Sequence, residues 1–393
     1  MQVLIYKGSS QYGAFDHFGI SLKNSLEQRN HQVELFDLNI QNAMETLSFI
    51  FTNKKFDLVI GFNAIGCDLK VGNESIYDII NTPFLAIFVD HPVYHFSRLS
   101  TPMKNFVASF LDESHVDFLQ NTIPQSQNLK FFMPLSGNEF SSEIKTIEEY
   151  KTIKKIDILF TGSNFGKVNK QWENVEGFPS YLFDEISDKL IKDDYISVEN
   201  AFNDVMNKYK ISFSSIGKAQ FSNLLSMVVT FVRQYKRNAI LEKIFESGLN
   251  ITLYGKNWSD IAKKYSNVID GGEISLDKTV EFTKQSKIVI NLNTNFTNGA
   301  HDRVFTGMLN QAVVFTDKSS YYDKYYNDKE HYLTYSINSL DEDIKKLKNY
   351  LEDEEKLFDM ANKAYSITKK EHSWLKRAEH LENMVSLLKN MNS

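Results

Sequence analysis

Between Ile288 and Asp317 the chain reads IVINLNTNFTNGAHDRVFTGMLNQAVVFTD, and few folds accommodate that order of residue types. Ile288-Val289-Ile290 is an apolar, β-branched run of the kind buried on both faces of a parallel sheet. A polar loop rich in Asn and Thr follows, with a single glycine, Gly299. Val304, Phe305, Met308 and Leu309 then recur at helical spacing behind one cation, Arg303, and Ala312 to Thr316 is a second apolar strand. Strand, loop, helix, strand is the repeating unit of an open α/β sheet, whose ligands sit outside the carboxyl ends of the strands. The loop and first helical turn, which contain Asn293, Asn298, Gly299, His301, Arg303 and Val304, are therefore expected to face a crevice. Backbone N–H groups there, with Arg303 beside them, suit an anion such as a diphosphate.

The same unit recurs along the chain. Val3 to Tyr6 predicts a strand, Phe18 to Arg29 a helix with Leu22 and Leu26 inward, and Gln32 to Phe36 a second strand. Buried strands are expected again at Asp57–Phe62, Thr82–Val89 and Phe106–Leu111, with helices around 42–52 and 74–80. With 393 residues the chain is too long for one core and implies two domains. Glu139 to Lys155 is charged and lacks an apolar pattern, so it reads as the linker. A fresh strand, Ile156 to Thr161, follows, then helical spacing over about 173–231 with no assignable chemistry. An amphipathic helix is expected from Arg233 to Gly248, and helices from Leu340 to the end.

Several strand ends carry candidate chemistry. Asp90 and His91 follow the 82–89 strand, where either is placed to act as a general base, or Asp90 caps a helix and His91 packs. His95 lies close by, but the spacing is too loose for a metal site. Gly162 and Ser163 allow backbone N–H groups to approach a phosphate. Tyr254, Gly255, Lys256 and Trp258 offer a surface for a nucleobase and a charge for a phosphate, or Trp258 is a packing anchor. The first loop, Lys7 to Gly13, is neither a dinucleotide fingerprint nor a P-loop. The net charge of −6 argues against general nucleic-acid affinity. A single cysteine, Cys67, excludes an internal disulfide and fits a reducing compartment. With no signal-peptide start and no apolar run of membrane-spanning length, the expected location is cytoplasmic, peripheral membrane contact aside. Abundant Lys, Asn, Ile and Phe suggest a bacterial source.

The 288–317 stretch resembles the donor-nucleotide segment of GT-B glycosyltransferases, above all the CgeB-like (spore maturation protein, glycosyl transferases group 1) branch. The resemblance rests on Arg303-Val304-Phe305 and Val313-Val314-Phe315-Thr316-Asp317. It is extended by Ile156–Ser163, by the Tyr254-Gly255…Trp258 pattern, and by His372-Ser373-Trp374 with Arg377. It implies an α/β fold of two facing Rossmann-like domains, with a helical insertion at about 173–231. Residues 1–145 would bind the acceptor, 146–371 the nucleotide-sugar, and 372–393 would form a helix packing back on the first domain. It further implies a metal-independent transfer from a UDP-, GDP- or TDP-sugar co-substrate, with no tightly bound cofactor. The hydroxyl acceptor would be a glycan, a protein or a secondary metabolite. Gly8, Ser9, Ser10 and Tyr12 would touch the acceptor, and Gly162 and Ser163 the donor. Many GT-B enzymes carry two Glu eight positions apart that grip the sugar and ribose hydroxyls; Asn298 and Thr306 stand at that separation here. Thr306 and Gln311 depart from the branch, which has Glu and Gly there. A sugar-nucleotide epimerase of the same architecture and a non-catalytic nucleotide-sugar-binding protein are the alternatives.

Overall fold

The structure, a computed structural model, describes residues 1–8, 10, 13–122, 129–175, 179–211, 215–293 and 296–391, without the side chains of 119–122, 215–221 and 391. It divides into two compact units, residues 1–135 with 373–393, and residues 136–372.

In unit 1 the apolar runs become β1 (Gln2–Lys7), β2 (Gln32–Asp37) and β3 (Leu58–Phe62), a small hairpin β4 (Lys70–Val71) and β5 (Glu74–Ser75), then β6 (Phe84–Phe88), β7 (Phe106–Phe110) and β8 (Leu129–Phe132). Between them run α1 (Ala14–Gln28), α2 (Ala43–Asn53), α3 (Ile76–Ile79), α4 (Phe96–Leu99) and α5 (Glu113–Thr122). The six longer strands pair in parallel in the order β2-β1-β3-β6-β7-β8. The helix expected at 74–80 starts two residues later, because Glu74 and Ser75 pair with Val71 and Lys70.

Unit 2 begins with α6 (Ile147–Ile153) and β9 (Ile156–Thr161), followed by the helical insertion α7 (Ser180–Lys192), α8 (Val198–Lys208) and α9 (Ser215–Glu246). Then come β10 (Ile251–Tyr254), α10 (Ser259–Lys264), β11 (Val268–Asp270), α11 (Leu276–Lys284), β12 (Ser286–Ile290), α12 (Asp302–Leu309), β13 (Val313–Thr316), β14 (Leu333–Thr334), α13 (Leu340–Leu351) and α14 (Glu354–Glu371). Its strands are parallel in the order β11-β10-β9-β12-β13-β14. The insertion and the amphipathic helix expected from Arg233 are one continuous element, since neither Gly nor Pro interrupts 218–247. The last helix, α15 (Trp374–Met391), packs on α1 in unit 1.

Residues 136–155 are not a free linker. Ile144 and Tyr150 are buried with Ile158, Ile240 and Leu357 in the unit 2 core. The rest of the segment is anchored by polar groups, which hydropathy does not reveal. Lys154 donates to the Asn310 carbonyl (2.9 Å), Lys284 to that of Ser142 (2.9 Å), and the Gln311 amide bonds both the N–H and C=O of Ile144. Gly137 lies so close to α12 that a Cβ would sit 2.2 Å from the Thr306 nitrogen.

Each six-stranded sheet has one place where strand order reverses, between β1 and β3 in unit 1 and between β9 and β12 in unit 2. In open α/β sheets such a reversal is where a ligand crevice forms, because the flanking connections run to opposite faces.

Candidate functional site

At the β9–β12 reversal, three arginines come together. Arg303 enters from the first turn of α12, and Arg233 and Arg237 stand one turn apart on α9, on one helix face. The Arg237 guanidinium lies 5.8 Å from the Phe160 ring and that of Arg303 lies 6.0 Å from the same ring. Arg237 donates to the Ser163 carbonyl (3.1 Å), just beyond the carboxyl end of β9. Burial, then the charges of Arg233 and Arg303, pull the Arg237 pKa down to about 10. Burial also lowers that of Arg303, against the opposing pull of Asp302. The Nε groups of Arg233 and Arg237 are buried without a hydrogen-bond partner among the described residues. Buried donors without acceptors are costly, and a cluster of like charges adds to that cost, so this arrangement fits an anion with several oxygens.

The loop ahead of Arg303 is held from within. Asp317, at the end of β13, accepts the Asn293 N–H, and the Asn293 side-chain oxygen accepts from Tyr322 (2.8 Å) and from the His301 N–H (3.2 Å). His301 caps α12 by accepting the Arg303 N–H on Nδ1 (3.2 Å). Asn298 accepts from the Ser320 hydroxyl, and the Gly299 carbonyl from that of Ser319. Val304 is fully buried, and the Thr306 hydroxyl accepts the Asn138 N–H (3.2 Å) against the Gly137 strap. Of the residues expected to touch the donor, Asn293 and Thr306 are thus structural ties and Val304 a core residue. Arg303 remains a candidate ligand-binding group, its guanidinium beside Phe160.

The β10 end differs from expectation. Trp258 is buried, edge-on to Phe160 and Phe245, and its indole N–H donates to the Gly162 carbonyl (2.8 Å). It is the packing anchor, not a stacking platform. The Tyr254 ring is stacked on Phe282 at 4.6 Å, so one face is covered. The Gly162 N–H is spent on the Tyr254 carbonyl and the Gly255 N–H on that of Gly272, so neither reaches a phosphate. Gly255 is required for another reason. Its φ of +140° and a Cβ position 2.5 Å from the Gly162 oxygen leave no room for a side chain. Ser163 is buried, its hydroxyl accepting the Lys256 N–H, and the half-exposed Lys256 ammonium pairs with Glu273 (3.3 Å).

At the β1–β3 reversal in unit 1 lies a cavity of about 610 Å³, lined among others by Gly8, Ser10, Phe15, Asn63, Asp90 and Arg98. Asp90 accepts from Asn63 (2.9 Å), stands 3.8 Å from His95 Nε2, and is 42% exposed. His91 is not at this cavity. It is buried beside His115 (4.5 Å between ring centres) and Phe118, and its Nδ1 accepts the Val93 N–H as the cap of a short 3₁₀ turn. Burial, with His115 and His95 adding to it, lowers its pKa well below the usual value. Of the residues expected to touch the acceptor, Gly8 and Ser10 line this cavity, while Ser9 and Tyr12 lie outside the described residues. Among the described residues, no group of three or more His, Cys, Asp or Glu is arranged to hold a metal ion.

Arg233 and Arg237 escaped sequence reasoning because they sit in a helix read only for its apolar face. The signal was present as Arg233-Gln-Tyr-Lys236-Arg237, three cations within five residues.

Residues 233–383 match the family described as "Glycosyl transferase-like". A search of curated proteins by sequence returns no match. In structure the chain resembles sucrose-phosphate synthase from Thermosynechococcus elongatus, with TM-score 0.58, 8% identity and 99% of both chains covered. It also resembles HepE from Anabaena, solved in complex with UDP-glucose, with TM-score 0.53, 11% identity, 98% of this chain and 99% of that one. A third is a DNA-modifying beta-glucosyltransferase studied with and without uridine diphosphoglucose, with TM-score 0.52, 12% identity, 98% of this chain and 99% of that one. At such identities these likenesses establish the fold, which is GT-B.

Proposed function

We propose that this GT-B glycosyltransferase takes its sugar from a nucleoside-diphosphate donor held in unit 2 and passes it to an acceptor hydroxyl in the unit 1 cavity. The observation that carries this reading is the grouping of Arg237 and Arg303 on Phe160 at the β9–β12 reversal, with the Arg233 charge close to Arg237. When the bond between the anomeric carbon and the β-phosphate oxygen breaks, that oxygen gains negative charge. Guanidiniums fixed there beforehand offset it without reorganisation. They supply the charge that a divalent cation would otherwise bring, which supports a metal-independent reaction. The acceptor oxygen forms the new bond to the anomeric carbon and gives its proton to Asp90. The exposure of Asp90 in the cavity supports an inverting course with a general base. UDP is the first candidate nucleotide, because HepE and the DNA beta-glucosyltransferase were studied with UDP-glucose; GDP- and TDP-sugars come next. Arg303-Val304-Phe305 and Val313–Asp317 support a place in the CgeB-like branch. A cytoplasmic site of action belongs to the same proposal and is supported by the lone, buried Cys67. Among the described residues, no helix is long and apolar enough to cross a membrane.

The test is thermal unfolding with UDP, GDP and TDP, followed by transfer assays with the matching sugars in EDTA. A saturating nucleoside diphosphate should raise the melting temperature, since it binds only the folded state, and transfer should persist without metal. Absence of stabilisation by all three would refute the donor reading, and loss of transfer in EDTA would refute metal independence.

A further inference from the structure

We infer that Asp194, on the turn between α7 and α8 of the helical insertion, is a positioning residue for the phosphate-binding arginines, acting through Lys236 on both segments that carry them. This rests on the donor reading above and gives the insertion a task.

Lys236 is 4% exposed, and burying an ammonium is costly unless a counter-charge stands beside it. Asp194 supplies one at 3.5 Å, the two side chains being 5% and 9% exposed. A second carboxylate, Asp317, is 4% exposed and feels both the Lys236 and the Asp194 charge. One ammonium therefore stands in the field of two carboxylates, on elements far apart in sequence. On one side Lys236 precedes Arg237 and follows Arg233 by three residues on α9, so whatever fixes its head group fixes that part of the helix. On the other side Asp317 accepts the Asn293 N–H, Asn293 accepts the His301 N–H, and His301 caps Arg303. An unbroken chain of polar contacts thus links Asp317 to Arg303. The turn bearing Asp194 is itself tied down: Tyr195 donates to Asp323 (3.2 Å), and Asn338 donates to the Lys192 carbonyl (2.7 Å). Without the Asp194 charge, Lys236 has Asp317 as its remaining nearby carboxylate. The pull between them then acts on the Asn293 N–H bond and on the α9 backbone together, and both arginine-bearing segments shift.

The test is calorimetric titration of the full chain with UDP and with inorganic pyrophosphate, for Asp194→Asn, Arg237→Ala and the double variant. Asp194→Asn should bind both probes about 5–10-fold more weakly, and the double variant should lose less than the product of the two single losses, because part of the Asp194 effect passes through Arg237. Asp194→Glu, which restores the charge, should recover much of the loss. If Asp194→Asn fails to fold, the Asp194→Asn/Lys236→Met pair removes both partners of that buried ion pair together; it should fold yet bind weakly. Parental affinity in either folded neutral variant, or losses that multiply in the double variant, would overturn the inference. If Arg237→Ala binds pyrophosphate like the parent, the phosphate site itself is misplaced and the inference falls with it, a separable result.

Discussion

Arg303 and Arg237 reach the same Phe160 ring from different helices, and each has a different cost of removal. Arg303→Ala should weaken UDP binding by about 1.5–3 kcal/mol, the usual worth of a charge-assisted contact. Arg303→Lys should recover only part of it, since a point charge lacks the planar fork. UDP binding by Arg303→Ala at parental strength would remove it from the site. Asp90 and His91 are adjacent in sequence but differ in chemistry. Asp90→Asn should lower the transfer rate by roughly 10²–10⁴ while leaving UDP affinity unchanged; transfer at the parental rate would favour a retaining reaction. His91 instead bears on stability. Its folded-state pKa lies below its unfolded value, so the folded state favours the neutral ring. Its contribution is therefore complete above the unfolded pKa near 6.5 and is lost as the pH falls below it. His91→Asn, which keeps an acceptor for the Val93 N–H, should flatten the loss of stability between pH 7 and 5 seen in urea melts. An unchanged slope would assign that loss to other groups.

At the scale of elements, what the sequence shows depends on whether an element is held by apolar or by polar groups. β9, β12 and β13 are legible because each is a run of buried aliphatic residues, and α12 because its apolar spacing is helical. The 136–155 strap is illegible because most of its anchors are polar and their partners lie more than 140 residues away. Trp258 stayed ambiguous because an aromatic at a strand end looks the same whether it stacks on a base or packs edge-on against Phe160. Gln311 shows the physics of the strap. It occupies the left-handed region at φ 51°, where glycine is at ease, yet its amide also bonds Asn362 (2.6 Å) and Lys284 (3.2 Å) besides Ile144. Gln311→Gly would relieve about 1 kcal/mol of backbone strain. It would also strand the Ile144 N–H and C=O, each unmet group costing about 1–3 kcal/mol, and leave the buried Lys284 ammonium with only the Ser142 carbonyl. The balance favours Gln, so the variant should lose roughly 2–4 kcal/mol in denaturant unfolding. A gain in stability would show that the strap is held by Ile144 and Tyr150 alone.

For the whole molecule, the chain leaves unit 1 at Leu135 and re-enters it at Ser373, so unit 1 is complete only after the last helix is made. Trp374 packs on Phe18 at 6.1 Å between ring centres, and Ala378, Leu381 and Val385 are buried. Arg377 is 2% exposed and donates to the Leu135 carbonyl (3.3 Å). Glu382 takes both arms of Arg29 at 2.6 Å and lies 2.6 Å from His31, while Lys389 reaches Asp57 at 2.5 Å. Burying a side chain such as Leu381 or Val385 is worth about 1.5–3 kcal/mol, so the helix carries a large part of the roughly 5–15 kcal/mol that holds a domain folded. A chain ending at His372 should therefore lose cooperative unfolding of unit 1 and expose the α1 face. UDP should still stabilise what remains, because the three arginines and their ties lie within unit 2. The hydrogen bond from Arg29, then that from His31, draws the Glu382 pKa down to about 2. A lowered carboxylate stabilises the fold fully above its unfolded value near 4.5 and loses that contribution as the pH falls towards 2. Glu382→Gln should accordingly be less stable at pH 6 and converge on the parent in melts below pH 3. A truncated chain that still unfolds as two cooperative units, or a Glu382→Gln deficit that persists at pH 2, would show that α15 merely lies against unit 1.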